Sequence, residues 1–223
     1  IDKVDFETYP FKLETDNEII ESDSVIISTG ASAKLLGIKG EDEFVGRGLS
    51  TCATCDGFFY KDKSIHVIGG GDSAMEEAIF LTKFASKVTI VHRRDLLRAS
   101  KIMVDRAISN KKIDFLWNAE PIEFIGDKEK GVYAMAYKDT KTKELTQVNT
   151  DGVFIAIGHN PNTNLFKDTL NIDSNGYLIT EDKSSRTNIK GVFASGDVQD
   201  SIYRQAITAA GSGCMAAIDA ERF

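Results

Sequence analysis

At 223 residues the chain has room for two modest domains or one large one. Its 27% charged residues and mean hydropathy of -0.20 describe an ordinary soluble globular protein, and no apolar run reaches the ~18 residues a membrane helix needs. A net charge of -7 argues against nucleic acid and anionic membrane surfaces, which select basic patches; the one dense basic cluster, Arg93, Arg94 and Arg98, suits a single phosphate.

In chain order, residues 11–15 alternate as a strand does, Asp16-Asn17 makes a turn, and residues 18–21 supply the hairpin partner. Residues 24–28 are a short apolar run ending at Thr29-Gly30, the pattern of a buried strand. Residues 31–48 hold four glycines without a period and read as a linker. Residues 64–68 predict a buried strand and residues 73–84 a helix, with Ala74, Ala78, Leu81 and Ala85 along one face. A strand over residues 87–91 completes a βαβ unit. A second helix over residues 97–110 and a strand over 113–117 follow. Three short strands at 122–125, 132–138 and 145–148 form an antiparallel insert, closed by a strand over 152–157. The tail carries a strand at 191–195, Gly196-Asp197 at its exit, and a helix from about 203 to 221.

The turn Gly69-Gly70-Gly71-Asp72-Ser73-Ala74 fits the G-x-G-x-x-A pattern of dinucleotide binding. The first glycine permits a tight turn, Gly71 lets the backbone approach a pyrophosphate, and Ala74 lets helix pack closely on strand. The next strand's exit chooses the nucleotide. NAD sites place a carboxylate there for the ribose hydroxyls, and NADP sites place arginine near the 2′-phosphate. This strand runs into His92-Arg93-Arg94, with Arg98 one turn on and no carboxylate at the acceptor position, which favours NADPH.

Three cysteines, Cys52, Cys55 and Cys214, are no secreted disulfide framework. They point to a reducing compartment, the cytoplasm or an organelle, with one redox-active pair. Cys52-Ala53-Thr54-Cys55 has the spacing of a small disulfide ring, and a helix start would lower a thiol pKa. Zinc would need two more ligands, and only Cys214, His66, His92 and His159 remain, so no metal is expected. Asp56 reads equally as a helix-capping carboxylate or as the acid that protonates a departing thiolate. Cys214, among small residues of the last helix, reads as a buried packing thiol, and His66 as a packed strand residue. A disulfide accepts a hydride equivalent far more readily through a flavin, yet no second Gly-rich fingerprint is present.

Cys52-Ala53-Thr54-Cys55-Asp56-Gly57, the Gly69 to Ala74 turn followed by Glu76-Glu77-Ala78, and His92-Arg93-Arg94 resemble the low-molecular-weight thioredoxin reductases of bacteria and plants. So do Ile157-Gly158-His159-Asn160-Pro161, Gly196-Asp197-Val198 and Tyr203 to Thr208, in the family's order. The resemblance implies an α/β fold of the two-domain flavoprotein disulfide reductase type. A Rossmann-like NADPH domain carrying the CxxC (34–158), with its antiparallel insert, would sit within a partial FAD domain (1–33 and 159–223). It implies NADPH contacts at Gly69, Gly70, Gly71, Asp72, Ser73, Ala74, His92, Arg93, Arg94, Arg98 and Ile157. It implies FAD contacts at Thr29, Gly30, Gly196, Asp197, Arg204, Gln205 and Ala206. By the same resemblance, NADPH reduces FAD, the flavin reduces Cys52–Cys55, and the dithiol exchanges with the disulfide of thioredoxin. Cys55 would lie nearer the flavin, Cys52 would attack the partner, and Asp56 would serve as acid-base. Family members are homodimers in which one domain rotates against the other.

The chain opens at Ile1 with no initiator Met, and the family's N-terminal βαβ unit for the FAD adenosine diphosphate is not among these residues. It therefore reads as a fragment whose N-terminus, with any targeting segment, lies outside it. Three alternatives stand beside the leading reading: the flavoprotein reductase of a peroxiredoxin system, a reductase fused to a thioredoxin module, and a non-catalytic NADPH-binding module. A zinc-binding interaction domain is a more distant one.

Overall fold

The hairpin expected at residues 11–21 is present in the computed structural model, which describes residues 1–223, and one unforeseen strand precedes it. Strands β1 (Lys3–Asp5), β2 (Phe11–Glu14) and β3 (Ile19–Ser22) form an antiparallel sheet in chain order. Strands β4 (Val25–Ile27) and β5 (Ala31–Ala33) follow. The chain divides into two units, Ile1–Ser32 with His159–Phe223, and Ala33–Gly158.

The stretch read as a linker is ordered instead. Beyond β5 the backbone turns at Gly40 into α1 (Glu41–Phe44). The buried carboxylate of Glu41 accepts the N–H groups of Leu36 at 2.7 Å and Gly37 at 2.6 Å. An aperiodic run is thus held by one side chain satisfying two backbone donors, a device without a hydrophobic period.

Next come β6 (Leu49–Ser50), the single-turn helix α2 (Ala53–Asp56), β7 (Ser64–Ile68), α3 (Asp72–Leu81), β8 (Lys87–His92), α4 (Lys101–Ser109) and β9 (Ile113–Trp117). The antiparallel insert is β10 (Ala119–Asp127), β11 (Gly131–Asp139) and β12 (Leu145–Asn149), and β13 (Val153–Ile155) completes the unit. A parallel sheet of order β6-β13-β7-β8-β9 forms its centre, the Rossmann-like arrangement. The expected apolar face of α3 is fully buried at Ala74, Ala78 and Leu81, with Met75 and the following Ala85. Leu81 alone contributes about 2 kcal/mol of burial.

Two element starts in this unit differ from expectation by three residues or more. Strand β10 begins at Ala119 and runs through Pro121, with a register shift between Pro121 and Glu123. Proline has no N–H for the ladder, and the bulge absorbs it. The helix expected from residue 97 begins only at Lys101, because the N–H groups of Arg98 and Ala99 both bond to the Gly70 carbonyl, at 2.7 and 3.1 Å. Those donors are captured by a distant loop before the helix can use the segment.

His66 lies buried in β7, as expected, with Nδ1 2.9 Å from the Thr150 hydroxyl. Burial, assisted by the charge of Lys87, pushes its pKa down to about 4. A histidine whose folded pKa lies below its unfolded value stabilises the fold above the unfolded pKa, and that contribution is lost as pH falls. Urea unfolding should therefore show stability declining between about pH 6.5 and about 4, by up to about 3 kcal/mol. His66→Asn should flatten that slope, and an unchanged slope would assign the acid sensitivity elsewhere.

In the other unit β14 (His159–Pro161) pairs with β5, and β15 (Val192–Ala194) runs parallel to β4. Phe6 packs edge-on to Phe11 and parallel to Phe166 in its core. Helix α5 (Ala206–Glu221) starts three residues later than expected. The Asp200 carboxylate accepts the N–H groups of Ile202, Tyr203 and Arg204, and Arg204 sits at φ +46°, which breaks helical continuity. Burial alone would raise the Asp200 pKa, but the three backbone donors and Thr208 together hold it below the usual range. Cys214 is exposed rather than buried, because Ala216 is the one buried residue of α5. Small apolar residues resemble a packed helix whether or not a neighbour covers them.

Candidate redox and nucleotide site

Cys52 and Cys55 form a disulfide, so the pair is closed on itself rather than half of a metal site. The helix between them is a single turn, so what reaches Cys52 is one N–H rather than a macrodipole: Cys55 N donates to Cys52 Sγ at 3.2 Å. Cys52 is thus the cap of this turn, and Asp56, although it opens the following 3-10 turn Gly57–Tyr60, makes no side-chain capping bond there. The Asp56 carboxylate instead accepts the hydroxyl of buried Ser50 at 2.7 Å, and the same hydroxyl accepts Cys52 N–H at 3.1 Å. Ser50, at the end of β6, therefore fixes both the acid and the first cysteine; no sequence signal marks it. The charge of Asp56, after burial, raises the pKa of Tyr60, whose ring packs edge-on to Phe154. Phe58 and Phe59 follow the disulfide directly and are 67% and 70% exposed.

The glycine turn and the β8 exit line one cavity of about 580 Å³. It gathers Gly69, Gly70, Gly71, Ser73, His92, Arg93, Arg98 and Ile157 of the expected nucleotide residues. Asp72, Ala74 and Arg94 are not in its wall. Ala74 is fully buried under the turn, and the carbonyls of Arg93 and Arg94 anchor the insert by accepting from Thr140 and Asn118. Leu36, Ile38 and Glu120 complete the wall from distant segments and were invisible to a local motif.

Each glycine has a distinct reason. A Cβ on Gly69, at φ +155°, would strike the Ala156 carbonyl and lie 2.6 Å from Ala74 Cβ, and one on Gly70 would enter the His92 ring. A Cβ on Gly71 would meet nothing within 4 Å, which leaves its backbone open to the cavity. That cradle at the start of α3, with arginines opposite, fits a dinucleotide pyrophosphate. Buried His92 bonds the Leu96 carbonyl through Nε2 at 3.1 Å. Burial lowers its pKa, the Leu96 bond opposes this, and the charges of Arg98, Arg94 and Arg93 add to the lowering. His92 is thereby a neutral wall, and Arg93 and Arg98 carry the positive charge.

In the other unit the ends of β4 and β15 lie side by side. The hydroxyls of Ser28 and Ser195 are 2.7 Å apart, which sets Thr29-Gly30 beside Gly196-Asp197. Gly30 and Gly196 both have positive φ, and the half-buried Asp197 carboxyl makes no hydrogen bond within the chain. Carboxyl ends of parallel strands, two open turns and an unpartnered acceptor fit a ligand rich in hydroxyls. Arg204 is folded back by its guanidinium onto the Ser201 carbonyl, while Gln205 and Ala206 begin α5.

The pyridine nucleotide-disulphide oxidoreductase family matches residues 1–213. All of the chain aligns, at 54% identity, with 73% of a thioredoxin reductase of Rickettsia felis. It aligns at 51% identity with 61% of the mitochondrial thioredoxin reductase 1 of Arabidopsis thaliana. The crystal structure of a thioredoxin reductase of Streptococcus pyogenes superposes with a TM-score of 0.92 at 44% identity, covering all of this chain and 73% of that one. The chain belongs to the pyridine nucleotide-disulphide oxidoreductases and, within them, to the thioredoxin reductases.

Proposed function

We propose that this chain carries the nucleotide-binding and disulfide-exchange machinery of an NADPH-dependent thioredoxin reductase. The observation that carries this reading is the closed Cys52–Cys55 pair in the same unit as a Gly-rich cavity bordered by two arginines. NADPH would be held in this cavity, its pyrophosphate by the Gly71 backbone and its 2′-phosphate by Arg93 and Arg98, and FAD would be held by Thr29, Gly30, Gly196, Asp197, Arg204, Gln205 and Ala206. When bound, the nicotinamide supplies a hydride equivalent and the flavin relays the electron pair to the disulfide. Cys52 thiolate then attacks a partner disulfide, Cys55 resolves the mixed disulfide, and the Cys52–Cys55 bond forms again as the partner leaves with two thiols. Asp56, oriented by Ser50, gives and takes the proton. The working form is a homodimer in a reducing compartment such as the cytoplasm; no helix of the chain is long and apolar enough to cross a membrane. The peroxiredoxin-system and non-catalytic alternatives have no observation in their favour.

The test is NADPH oxidation with FAD and oxidised thioredoxin, run beside a small aromatic disulfide as a second acceptor. Coupled oxidation supports the reading; no oxidation with NADPH binding intact would assign turnover to a longer chain, and no NADPH binding at all would remove the reading. Exposed Phe58 and Phe59 supply an apolar face for a protein substrate. Phe59→Ala should raise KM for thioredoxin about tenfold, the effect of losing an aromatic anchor. Turnover of a small aromatic disulfide should stay unchanged; equal losses on both substrates would remove the docking role.

A further inference from the structure

Asp72 stands at the first residue of α3, where the family pattern suggests contact with the nucleotide. A carboxylate there is an electrostatic misfit, because the same helix start is to receive a pyrophosphate. The structure resolves the conflict by turning Asp72 away. Its Oδ1 accepts both the N–H and the hydroxyl of Ser100, each at 2.8 Å. Ser100 is the N-cap of α4, yet its hydroxyl caps nothing in its own helix. A serine at that position ordinarily caps its own helix, so the hydroxyl is diverted from that role.

That diversion closes a small ring of contacts. Gly70, two residues before Asp72, takes the N–H groups of Arg98 and Ala99, and Asp72 takes both donors of Ser100. Residues 98–100 are therefore stapled, donor by donor, onto the glycine turn, and Arg98 is delivered into the cavity wall. From this geometry we infer that Asp72 is a positioning residue that sets the preference for a 2′-phosphorylated nucleotide by holding the Arg98 segment against the turn. The inference rests on the NADPH reading of the cavity and adds the residue that enforces it. Without Asp72 the staple loses its Ser100 end and hangs on the Gly70 carbonyl alone, so the segment shifts relative to the turn and the Arg98 guanidinium is less firmly placed in the cavity wall.

The test compares binding of 2′,5′-ADP with that of 5′-AMP, followed by the fluorescence of Trp117, whose ring is 6.4 Å from that of His92. The two probes differ in the 2′-phosphate, so their affinity ratio isolates the arginine arm, and neither requires flavin or turnover. The wild-type chain should prefer 2′,5′-ADP. Asp72→Ala should lower the ratio about tenfold by weakening 2′,5′-ADP alone, as loss of a charge-assisted contact of about 1.4 kcal/mol predicts. Asp72→Asn, which keeps an acceptor oxygen, should restore most of it, and Ser100→Ala should fall between, since the Ser100 N–H remains. An Asp72→Ala ratio equal to wild type, or a parallel loss for both probes, would overturn the clamp. A wild-type chain without preference would instead overturn the NADPH reading beneath it.

Discussion

Cys52→Ser should abolish NADPH-coupled reduction of thioredoxin, lowering kcat by ~10³-fold or more, as removal of a covalent nucleophile does. Serine cannot form the mixed disulfide, and Cys55 alone has no resolving partner. The substitution is otherwise mild. Cys52 caps a single helical turn through a sulfur acceptor, and the serine hydroxyl is a better cap, so α2 should persist. Cys52 is not part of the cavity wall, and NADP⁺ affinity should be unchanged. The informative result is therefore loss of turnover with intact nucleotide binding. Retained turnover would transfer the chemistry to another group and discard the dithiol mechanism.

Alanine at the three glycines of the turn should separate folding from binding. Gly69→Ala requires an L residue at φ +155° and drives a methyl into the Ala156 carbonyl and Ala74. Strain and overpacking together should cost about 3 kcal/mol or more, read as a fall in the urea midpoint. Gly70→Ala displaces the His92 ring and should fall in the same class. Gly71→Ala is the opposite case. Its φ of -99° suits alanine and its methyl would meet no protein atom within 4 Å, so stability should change by less than about 1 kcal/mol. Yet that methyl would occupy the approach of the pyrophosphate, and NADP⁺ affinity should fall about tenfold to a hundredfold. Wild-type affinity in Gly71→Ala would show that the nucleotide does not pass over this backbone.

What could be read from the residues is uneven for a physical reason. The β7-α3-β8 unit declares itself because its periods of two and 3.6 are local, and because the Gly69, Gly71 and Ala74 motif is contained within six residues. The disulfide pair is legible from its spacing. The boundaries that failed depend on hydrogen bonds that periodicity does not encode: Gly70 claims the donors of Arg98 and Ala99 from a distant loop, and Asp200 claims those just ahead of α5. Strands of two or three residues, such as β5, β6 and β14, are too short to show a period and exist through their pairing. Ser50 and Glu41 each act through two hydrogen bonds across a turn or loop, for which composition has no mark. Cys214 was misread because small residues cannot reveal whether a helix face is covered.

The pairing of β5 with β14 has a consequence for heredity as well as for structure. The 33–158 unit begins and finishes at neighbouring points, with Lys34 N–H donating to the Gly158 carbonyl at 2.9 Å. A segment whose two ends meet can be cut out and replaced without stretching its host. The Cys52–Cys55 pair and the Gly-rich cavity thus lie in one segment with adjoining ends, the geometry that exchange of a whole unit between proteins requires.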